Sequence, residues 1–197
     1  MKTDIVCLGD SIVFGYGAPA GGGWPERSAR RLGKHIVNSG ENGDTTDEML
    51  GRFEWDVVRY QPKEVVIMGG ANDILMGIKQ AHTRETVTLL VERAFRSNIQ
   101  PIIGIPISVD AKMLKQCWYS CWTVEETLER FRAFHDWLEN FCKKRAIPAV
   151  DFYREYPDRM ERITDGKWYV DGLHPTREGY RVLADIFCET YRSYQQG

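Results

Sequence analysis

The 197-residue chain lacks any apolar run that approaches the ~20 residues of a membrane-spanning helix. It also lacks a charge surplus, because 26 basic residues nearly balance 28 acidic ones and leave a formal charge of -2 at pH 7. One cluster of cations, Arg27, Arg30, Arg31 and Lys34, has helical spacing and is interpreted as a solvated helix face. These absences argue against a nucleic-acid partner and against stable membrane association.

The chain contains few cysteines, and they are not arranged in the closely spaced pairs that bind metals. The five cysteines are Cys7, Cys117, Cys121, Cys142 and Cys188. An odd number of scattered cysteines favours reduced thiols and does not form the paired ligand sets typical of zinc sites. The opening residues, Met1-Lys2-Thr3-Asp4, lead into a run too short for a secretory signal. We therefore expect a cytoplasmic protein without a metal.

The composition, with 43% hydrophobic and 27% charged residues, is that of an ordinary globular chain and predicts one domain over residues 1–197. Short Val- and Ile-rich runs predict five buried strands, at Ile5–Leu8, His35–Asn38, Glu64–Met68, Pro101–Ile105 and Ala149–Phe152. Segments with helical period lie between and after them, at Trp24–Lys34, Thr46–Tyr60, Thr83–Asn98, Thr123–Arg145 and Thr176–Tyr194. This alternation predicts an α/β fold with a parallel sheet covered by helices on both faces.

Small polar motifs follow the first three predicted strands, and another lies near the end of the chain. They are Gly9-Asp10-Ser11, the segment 38–46 with Gly40 and Gly43, Gly70-Ala71-Asn72-Asp73, and Asp171-Gly172-Leu173-His174-Pro175. Each motif alone also fits an ordinary turn. Because ligands bind outside the carboxyl ends of the strands in open α/β sheets, we expect these motifs to meet at that edge.

The spacing of Asp171 and His174 is the most specific of these signals, since Asp-x-x-His-Pro is expected in only about one chain in a hundred by composition. A carboxylate oxygen of Asp171 can accept from His174 Nδ1–H and leave Nε2 free as a base. The Asn72 amide and a loop glycine N–H are neutral donors suited to a developing oxyanion. The pattern indicates acyl-transfer chemistry.

Taken together, Gly9-Asp10-Ser11, Gly43, Gly70-x-Asn72-Asp73 and Asp171-x-x-His174 resemble the sequence blocks of the SGNH (GDSL-type) hydrolases. The resemblance extends from residue 9 to residue 175, which is nearly the whole chain. It implies a three-layer α/β/α sandwich, flavodoxin-like, with about five parallel strands in the order 2-1-3-4-5.

The same resemblance implies a role for each matching residue. Ser11 would be the nucleophile, His174 the general base and then acid, and Asp171 the residue that orients His174. The oxyanion hole would combine Ser11 N–H, Gly43 N–H and the Asn72 side chain, with Gly40 as a rival to Gly43. The implied function is a serine hydrolase of small acyl esters that needs no metal or organic cofactor.

Several substrate classes fit this triad equally well. Deacetylation of carbohydrates, lysophospholipid hydrolysis and thioester hydrolysis are the alternatives, and an acyltransferase would use an alcohol in place of water. Asp10 and Asp73 are interpreted as turn-stabilising residues. Trp118, Tyr119 and Trp122, with Met113 and Leu114, are predicted to form a wall of the acyl pocket, or else to pack a loop onto the core.

Two hypotheses from other functional classes also fit parts of the sequence. Residues 15–20, Gly-Tyr-Gly-Ala-Pro-Ala, fit the Gly-x-Gly-x-x-Ala form of a dinucleotide-binding fingerprint. Against it, the glycines begin several residues after the strand, and Pro19 removes a backbone N–H. A non-catalytic binding module on the same fold is the other alternative. Phe187 and Tyr191 suit either the core or an interface.

Overall fold

The computed structural model describes residues 2–118, 122–163 and 167–196. Its sheet contains β1 (Ile5–Gly9), β2 (Ile36–Gly40), β3 (Glu64–Met68), β4 (Gln100–Ile105) and β5 (Ala149–Asp151). The strand order is β2-β1-β3-β4-β5, and neighbouring strands pair in parallel. The predicted fold class and strand order are therefore confirmed. Central strands β1 and β3 are buried along their whole length, as expected for a parallel sheet covered on both faces.

Helices connect and follow the strands. They are α1 (Ser11–Phe14), α2 (Trp24–Leu32), α3 (Thr46–Asp56), α4 (Ala71–Leu75), α5 (Gln80–Arg96), α6 (Ala111–Cys117), α7 (Val124–Arg145), α8 (Phe152–Glu161) and α9 (Arg177–Gln196). The five predicted helices are present with shifted ends, and a 3₁₀ turn at Val58–Tyr60 replaces the predicted last turn of α3. The short helices α1, α4 and α6 were not predicted, because a helix of one or two turns offers little periodic pattern. The 10-residue α8 was also not predicted.

Side-chain caps determine where two of the long helices begin. Thr45 and Glu48 form a reciprocal capping box at the start of α3, one residue before the predicted start. Thr123 and Glu126 form the same arrangement at α7. Each box satisfies two backbone N–H groups that helix geometry leaves without a partner.

The core lies on both faces of the sheet. On one face α2 and α8 pack against α9, and on the other α3 packs against α5. Trp24 of α2 is fully buried, with its ring 5.1 Å from Phe187 and 5.5 Å from Phe152. Tyr191 stacks on Phe187 at 5.6 Å. Phe187 and Tyr191 therefore belong to the core.

The dinucleotide-binding alternative is wrong. A phosphate-binding glycine turn must lead from a strand directly into a helix N-terminus. Here α1 stands between β1 and the glycines at 15–17, and α2 begins only at Trp24.

Two further sequence expectations concern thiols and membranes. The described cysteines, Cys7, Cys117, Cys142 and Cys188, are free thiols, and Cys121 lies outside the described residues. Within the described ranges, none of the helices combines the length and the apolar character that a bilayer crossing requires. A cytoplasmic location stays a prediction.

Candidate active site

Ser11 is the first residue of α1, immediately beyond the end of β1. Asp10 caps this helix, because its Oδ1 accepts from Ile12 N–H at 2.9 Å. Gly9 is required by close packing, since a Cβ there would lie 2.3 Å from Val13 Cγ2 and 2.4 Å from the Met68 carbonyl oxygen. The turn thus holds Ser11 at the carboxyl edge of the sheet, where ligand sites of such folds lie.

Asp171 and His174 occupy one compact turn near the chain end. Asp171 Oδ1 accepts from the backbone N–H groups of His174 at 2.8 Å and Leu173 at 3.1 Å. Gly172 has φ +87°, and its carbonyl accepts from Asp110 N–H at 2.9 Å. A Cβ at Gly172 would lie 2.3 Å from Leu114 N, so only glycine allows the turn to approach α6 this closely.

The second oxygen of Asp171 contacts the imidazole. Asp171 Oδ2 is 2.7 Å from His174 Nδ1, so the two oxygens of one carboxylate hold both the backbone and the ring of His174. Partial burial disfavours the charged carboxylate, but hydrogen bonds from His174 and Leu173 outweigh it and hold the pKa of Asp171 below its ordinary value. Asp171 therefore stays ionised near neutral pH.

The structure brings Ser11 and His174 together across 163 positions of sequence. Ser11 Oγ lies 2.7 Å from His174 Nε2, and both residues are buried. The Tyr16 ring lies 4.4 Å from the His174 ring between centroids, and the Trp118 ring lies 5.7 Å from it. Ser11, His174 and Asp171 thus form a continuous hydrogen-bonded chain with a serine hydroxyl at one end and a carboxylate at the other.

A pocket of about 220 Å³ opens over Ser11. Its lining is mainly apolar and consists of Ser11, Tyr16, Asn42, Gly43, Asn72, Leu75, Met76, Trp118, Leu173 and His174. Among the described residues, no Asp, Glu, Lys or Arg is part of this lining. Such a surface suits an uncharged group more than a carboxylate or a phosphate.

Gly43 reaches the pocket from the loop between β2 and α3, and Asn72 reaches it from the first turn of α4. Gly43 has φ +85° and open space where a Cβ would stand, so its backbone can approach a ligand closely. Asn72 Nδ2 donates to the Asp44 carbonyl at 2.8 Å, which orients the amide. Gly40 is absent from the lining described above, and its N–H already donates to Asn38 Oδ1 at 2.9 Å.

Asp10 stabilises its own turn, as predicted, whereas Asp73 joins two segments that lie 27 positions apart in the sequence. Asp73 accepts from Thr46 N–H at 3.0 Å and from Thr46 Oγ1–H at 2.5 Å, which ties α4 to α3. Burial, together with the nearby carboxylates of Asp44 and Asp73, raises the pKa of Asp10 to about 7. Asp10 is therefore much less suited than Asp171 to pair with an imidazolium.

The predicted aromatic wall is only partly present. Trp118 lines the pocket, whereas Trp122 and Met113 are not among its described lining residues. Trp122 instead donates its Nε1–H to the Ile74 carbonyl at 2.7 Å, and Met113 packs on the core. Tyr119 lies outside the described residues.

Other lining residues were missed by the sequence reasoning. They are Tyr16, Asn42, Leu75, Met76 and Leu173. Leu173 lies within the Asp-x-x-His motif, and Asn42 lies next to Gly43. Both could therefore have been predicted to line the site from their positions in the sequence. Leu75 and Met76 follow Asn72 by one helical turn, which also brings them to the same edge.

A separate cluster of His135, Asp136 and Glu139 has ligand atoms close enough together to be considered for a metal ion. Its donors are already engaged, because the His135 ring contacts Asp136 at 2.8 Å and Asp151 at 3.1 Å. Glu139 accepts from Arg154 at 2.9 Å. The cluster is thus accounted for by hydrogen bonds of the His135 ring and by the ion pair between Arg154 and Glu139.

Known proteins resemble this chain over most of its length. The sequence model of the GDSL-like lipase/acylhydrolase family matches residues 7–182. The chain is 26% identical over 184 residues to the Escherichia coli K12 protein named thioesterase 1/protease 1/lysophospholipase L1, covering 92% of this chain and 79% of that one. It is 25% identical to an arylesterase of Vibrio mimicus, covering 94% and 86%. A G-D-S-L family lipolytic protein from Veillonella parvula DSM 2008 superposes with a TM-score of 0.82 at 25% identity, covering 96% and 98%.

Proposed function

Because the chain belongs to the GDSL-like lipase/acylhydrolase family and is an ester hydrolase, we propose that it cleaves small, uncharged acyl esters through an acyl-enzyme on Ser11. One observation carries the proposal. It is the chain of two 2.7 Å hydrogen bonds that joins Ser11 Oγ, the His174 ring and the Asp171 carboxylate beside a mainly apolar pocket. A serine hydroxyl is a weak nucleophile, and this arrangement supplies the base it needs.

In the first half-reaction Ser11 Oγ attacks the ester carbonyl carbon while His174 Nε2 accepts the hydroxyl proton. Collapse of the tetrahedral intermediate breaks the bond to the alkoxy oxygen, which takes the same proton and leaves as the alcohol. Asp171 keeps Nδ1 protonated and stabilises the transient imidazolium. Water then attacks the acyl-enzyme, again deprotonated by His174, and releases the carboxylic acid and Ser11.

The developing oxyanion needs donors that are already in position. We assign these to Ser11 N–H, Gly43 N–H and Asn72 Nδ2. The N–H of a first helical residue has no partner within its helix, which supports Ser11. Gly43 is favoured over Gly40 because the Gly40 N–H is engaged by Asn38. Each such donor is worth about 3 kcal/mol of barrier lowering in comparable enzymes.

The pocket's size and composition support the substrate class. Its volume of about 220 Å³ exceeds that of a dry apolar cavity of ~150 Å³ known to hold benzene, so a short acyl or aryl group fits. The lack of a charged partner for an anionic group in the described lining favours neutral substrates. Thioesters are the second candidate, because the similar Escherichia coli protein carries that activity in its name.

The proposal is tested by hydrolysis of p-nitrophenyl esters from acetate to decanoate, with acyl thioesters and acetylated sugars in parallel. Wild type should hydrolyse the shorter esters, and Ser11→Ala should remove the activity. Ser193→Ala is the matched control, because that hydroxyl lies on α9 and bonds only locally to the Glu189 carbonyl. Equal activity in wild type and Ser11→Ala would refute the nucleophile, and an inactive wild type would favour a binding module.

Trp118 offers a test of the pocket itself. The residue is 43% exposed and its ring lies beside that of His174, so Trp118→Ala should open one wall and shift the preferred acyl length upward. Trp55→Ala, at a 70% exposed tryptophan of α3 outside the lining, is the control. Unchanged ratios of kcat/KM across the ester series in Trp118→Ala would contradict this role.

A further inference from the structure

Arg52 of α3 has no place in the proposed triad or oxyanion hole, yet its guanidinium group is hydrogen-bonded on several sides close to both. Its Nε donates to Asp44 Oδ2 at 2.6 Å, its Nη1 to Asp56 Oδ2 at 2.7 Å and its Nη2 to the Gly9 carbonyl at 2.9 Å. The side chain is only 14% exposed. All three guanidinium nitrogens are thus used in a largely buried position.

Two of these contacts lead directly to the candidate active site. Gly9 ends β1 two residues before Ser11. Asp44 follows Gly43, and its carbonyl accepts the Asn72 Nδ2–H at 2.8 Å. Arg52 therefore joins the strand that carries the nucleophile to the loop that carries one proposed oxyanion donor and orients another.

We propose that Arg52 is a positioning residue for the oxyanion hole, which sets the place of Gly43 and Asn72 relative to Ser11. The inference rests on the proposed function and deepens it. The planar guanidinium fork suits this role, because it fixes the directions of several bonds at once where an ammonium would fix a point charge only. Its positive charge also offsets the negative charge of Asp44, which would otherwise oppose an oxyanion forming close by.

A purely structural role makes a different prediction. Arg52 and Asp56 stand one helical turn apart in α3, and such a pair can simply stabilise the helix. If the ion pair between Arg52 and Asp56 only stabilised the helix, its loss would lower the free energy of unfolding and the amount of folded enzyme. Loss of a positioning residue lowers kcat of the folded enzyme, with much less change in KM, because oxyanion contacts strengthen only in the transition state.

The positioning role and the structural role are distinguished by measuring kcat of folded variants, with the concentration of active sites determined by titration. Arg52→Met should lower kcat by about 10- to 100-fold. This is the loss expected when the Gly43 or Asn72 donor moves by up to about one ångström. Arg52→Lys should recover part of the loss. Asp56→Asn, which removes only the intrahelical partner, should change kcat by less than about 2-fold. Equal losses in Arg52→Met and Asp56→Asn would overturn the proposal.

A double-mutant cycle identifies the group through which Arg52 acts. In an Asn72→Ala background, Arg52→Met should lower kcat by clearly less than it does in wild type, because one of the donors it positions is gone. Full additivity would mean that Arg52 does not act through Asn72. If Arg52→Met does not fold, Asp44→Asn and Arg52→Lys carry the same cycle.

A measurement that does not depend on catalytic turnover can test the positioning role of Arg52 even if the proposed ester hydrolysis is wrong. The Asn72 side-chain amide signals in ¹H–¹⁵N NMR spectra, identified by their loss in Asn72→Ala, should shift in Arg52→Met and stay in place in Asp56→Asn. Such a shift in a protein that hydrolyses no ester would refute the function but support the positioning. Ester hydrolysis with unmoved amide signals and an additive cycle would refute the positioning alone.

Discussion

Two turns near Ser11 each contain an aspartate, and the surroundings of the two carboxyl groups have opposite effects on their pKa values. In the turn between β1 and α1, Asp10 is 2% exposed and caps a helix through Ile12 N–H. In the turn at residues 171–174, Asp171 is partly exposed and contacts three groups, two backbone N–H and the His174 ring. Burial dominates the first site and hydrogen bonding dominates the second.

The pKa values of the two carboxyl groups diverge accordingly. Burial raises the pKa of Asp10 from its ordinary 3.8 to about 7, whereas the hydrogen bonds hold that of Asp171 below its ordinary value. Only a carboxylate that stays charged can stabilise an imidazolium. A position close to Ser11 is therefore not enough to keep a carboxylate charged. The balance between burial and the hydrogen bonds that the carboxylate accepts decides its charge.

The difference between the two aspartates is tested most directly by replacing each of them with asparagine. Asp171→Asn should lower kcat by about 10³- to 10⁴-fold, because an amide does not hold His174 in the required tautomer. Asp10→Asn should keep kcat within about 10-fold of wild type, since asparagine caps helices as well as aspartate does. Ester hydrolysis by both variants measures this, and comparable losses would erase the distinction.

The close approach of the second turn to α6 can be tested through its glycine. Gly172→Ala should lower the free energy of unfolding by about 3 kcal/mol, because its Cβ would meet Leu114 N at a φ of +87°. Gly43→Ala has a similar φ of +85° and open space, so it isolates the backbone strain at about 1 kcal/mol. Urea denaturation gives both values. Equal losses would show that the packing against α6 contributes little.

The opposite pKa shifts should give the stability opposite pH slopes. Asp10 binds its proton more tightly in the folded state, so its contribution is full below pH 4 and is lost as the pH rises toward 7. Asp10→Asn should therefore gain stability over wild type at pH 8 relative to pH 4, by on the order of 4 kcal/mol, since each unit of the raised pKa corresponds to about 1.4 kcal/mol. The Asp171 contribution is present above pH 4 and is lost as the pH falls through its lowered pKa.

Urea titrations of wild type, Asp10→Asn and Asp171→Asn at several pH values check these slopes. A wild-type and an Asp10→Asn profile that run parallel between pH 4 and pH 8 would mean that Asp10 is ionised throughout.

One buried hydroxyl supports the region between the two turns. Tyr180 Oη donates to the Tyr16 carbonyl at 2.9 Å, and the Tyr16 ring packs on His174. Tyr180→Phe should lower the free energy of unfolding by about 1 kcal/mol. Tyr194→Phe, at a 39% exposed side chain, should be near neutral. No difference between the two in urea denaturation would show that this bond contributes nothing.

Much of this architecture was readable in the sequence, because its signals are local or periodic. Val- and Ile-rich runs located the five strands to within one or two residues. The Asp-x-x-His spacing allowed one carboxylate to meet both the backbone and the ring of His174, which is a contact within a single turn. The resemblance of four short motifs to one family supplied the strand order and the roles still to be tested.

Tertiary structure decided what depends on residues distant in the chain. The choice between Gly40 and Gly43 depends on which glycine lies in the pocket beside Ser11 and Asn72, and that glycine is Gly43. The different positions of Trp118 and Trp122 depend on the docking of one segment against α4 and His174. The pKa of Asp10 depends on burial beside Asp44 and Asp73, and the link from Arg52 to Gly9 spans 43 positions. Sequence alone determined which chemical groups are available, because covalent neighbours fix short-range geometry. Only packing determined which groups are desolvated and which donors are free.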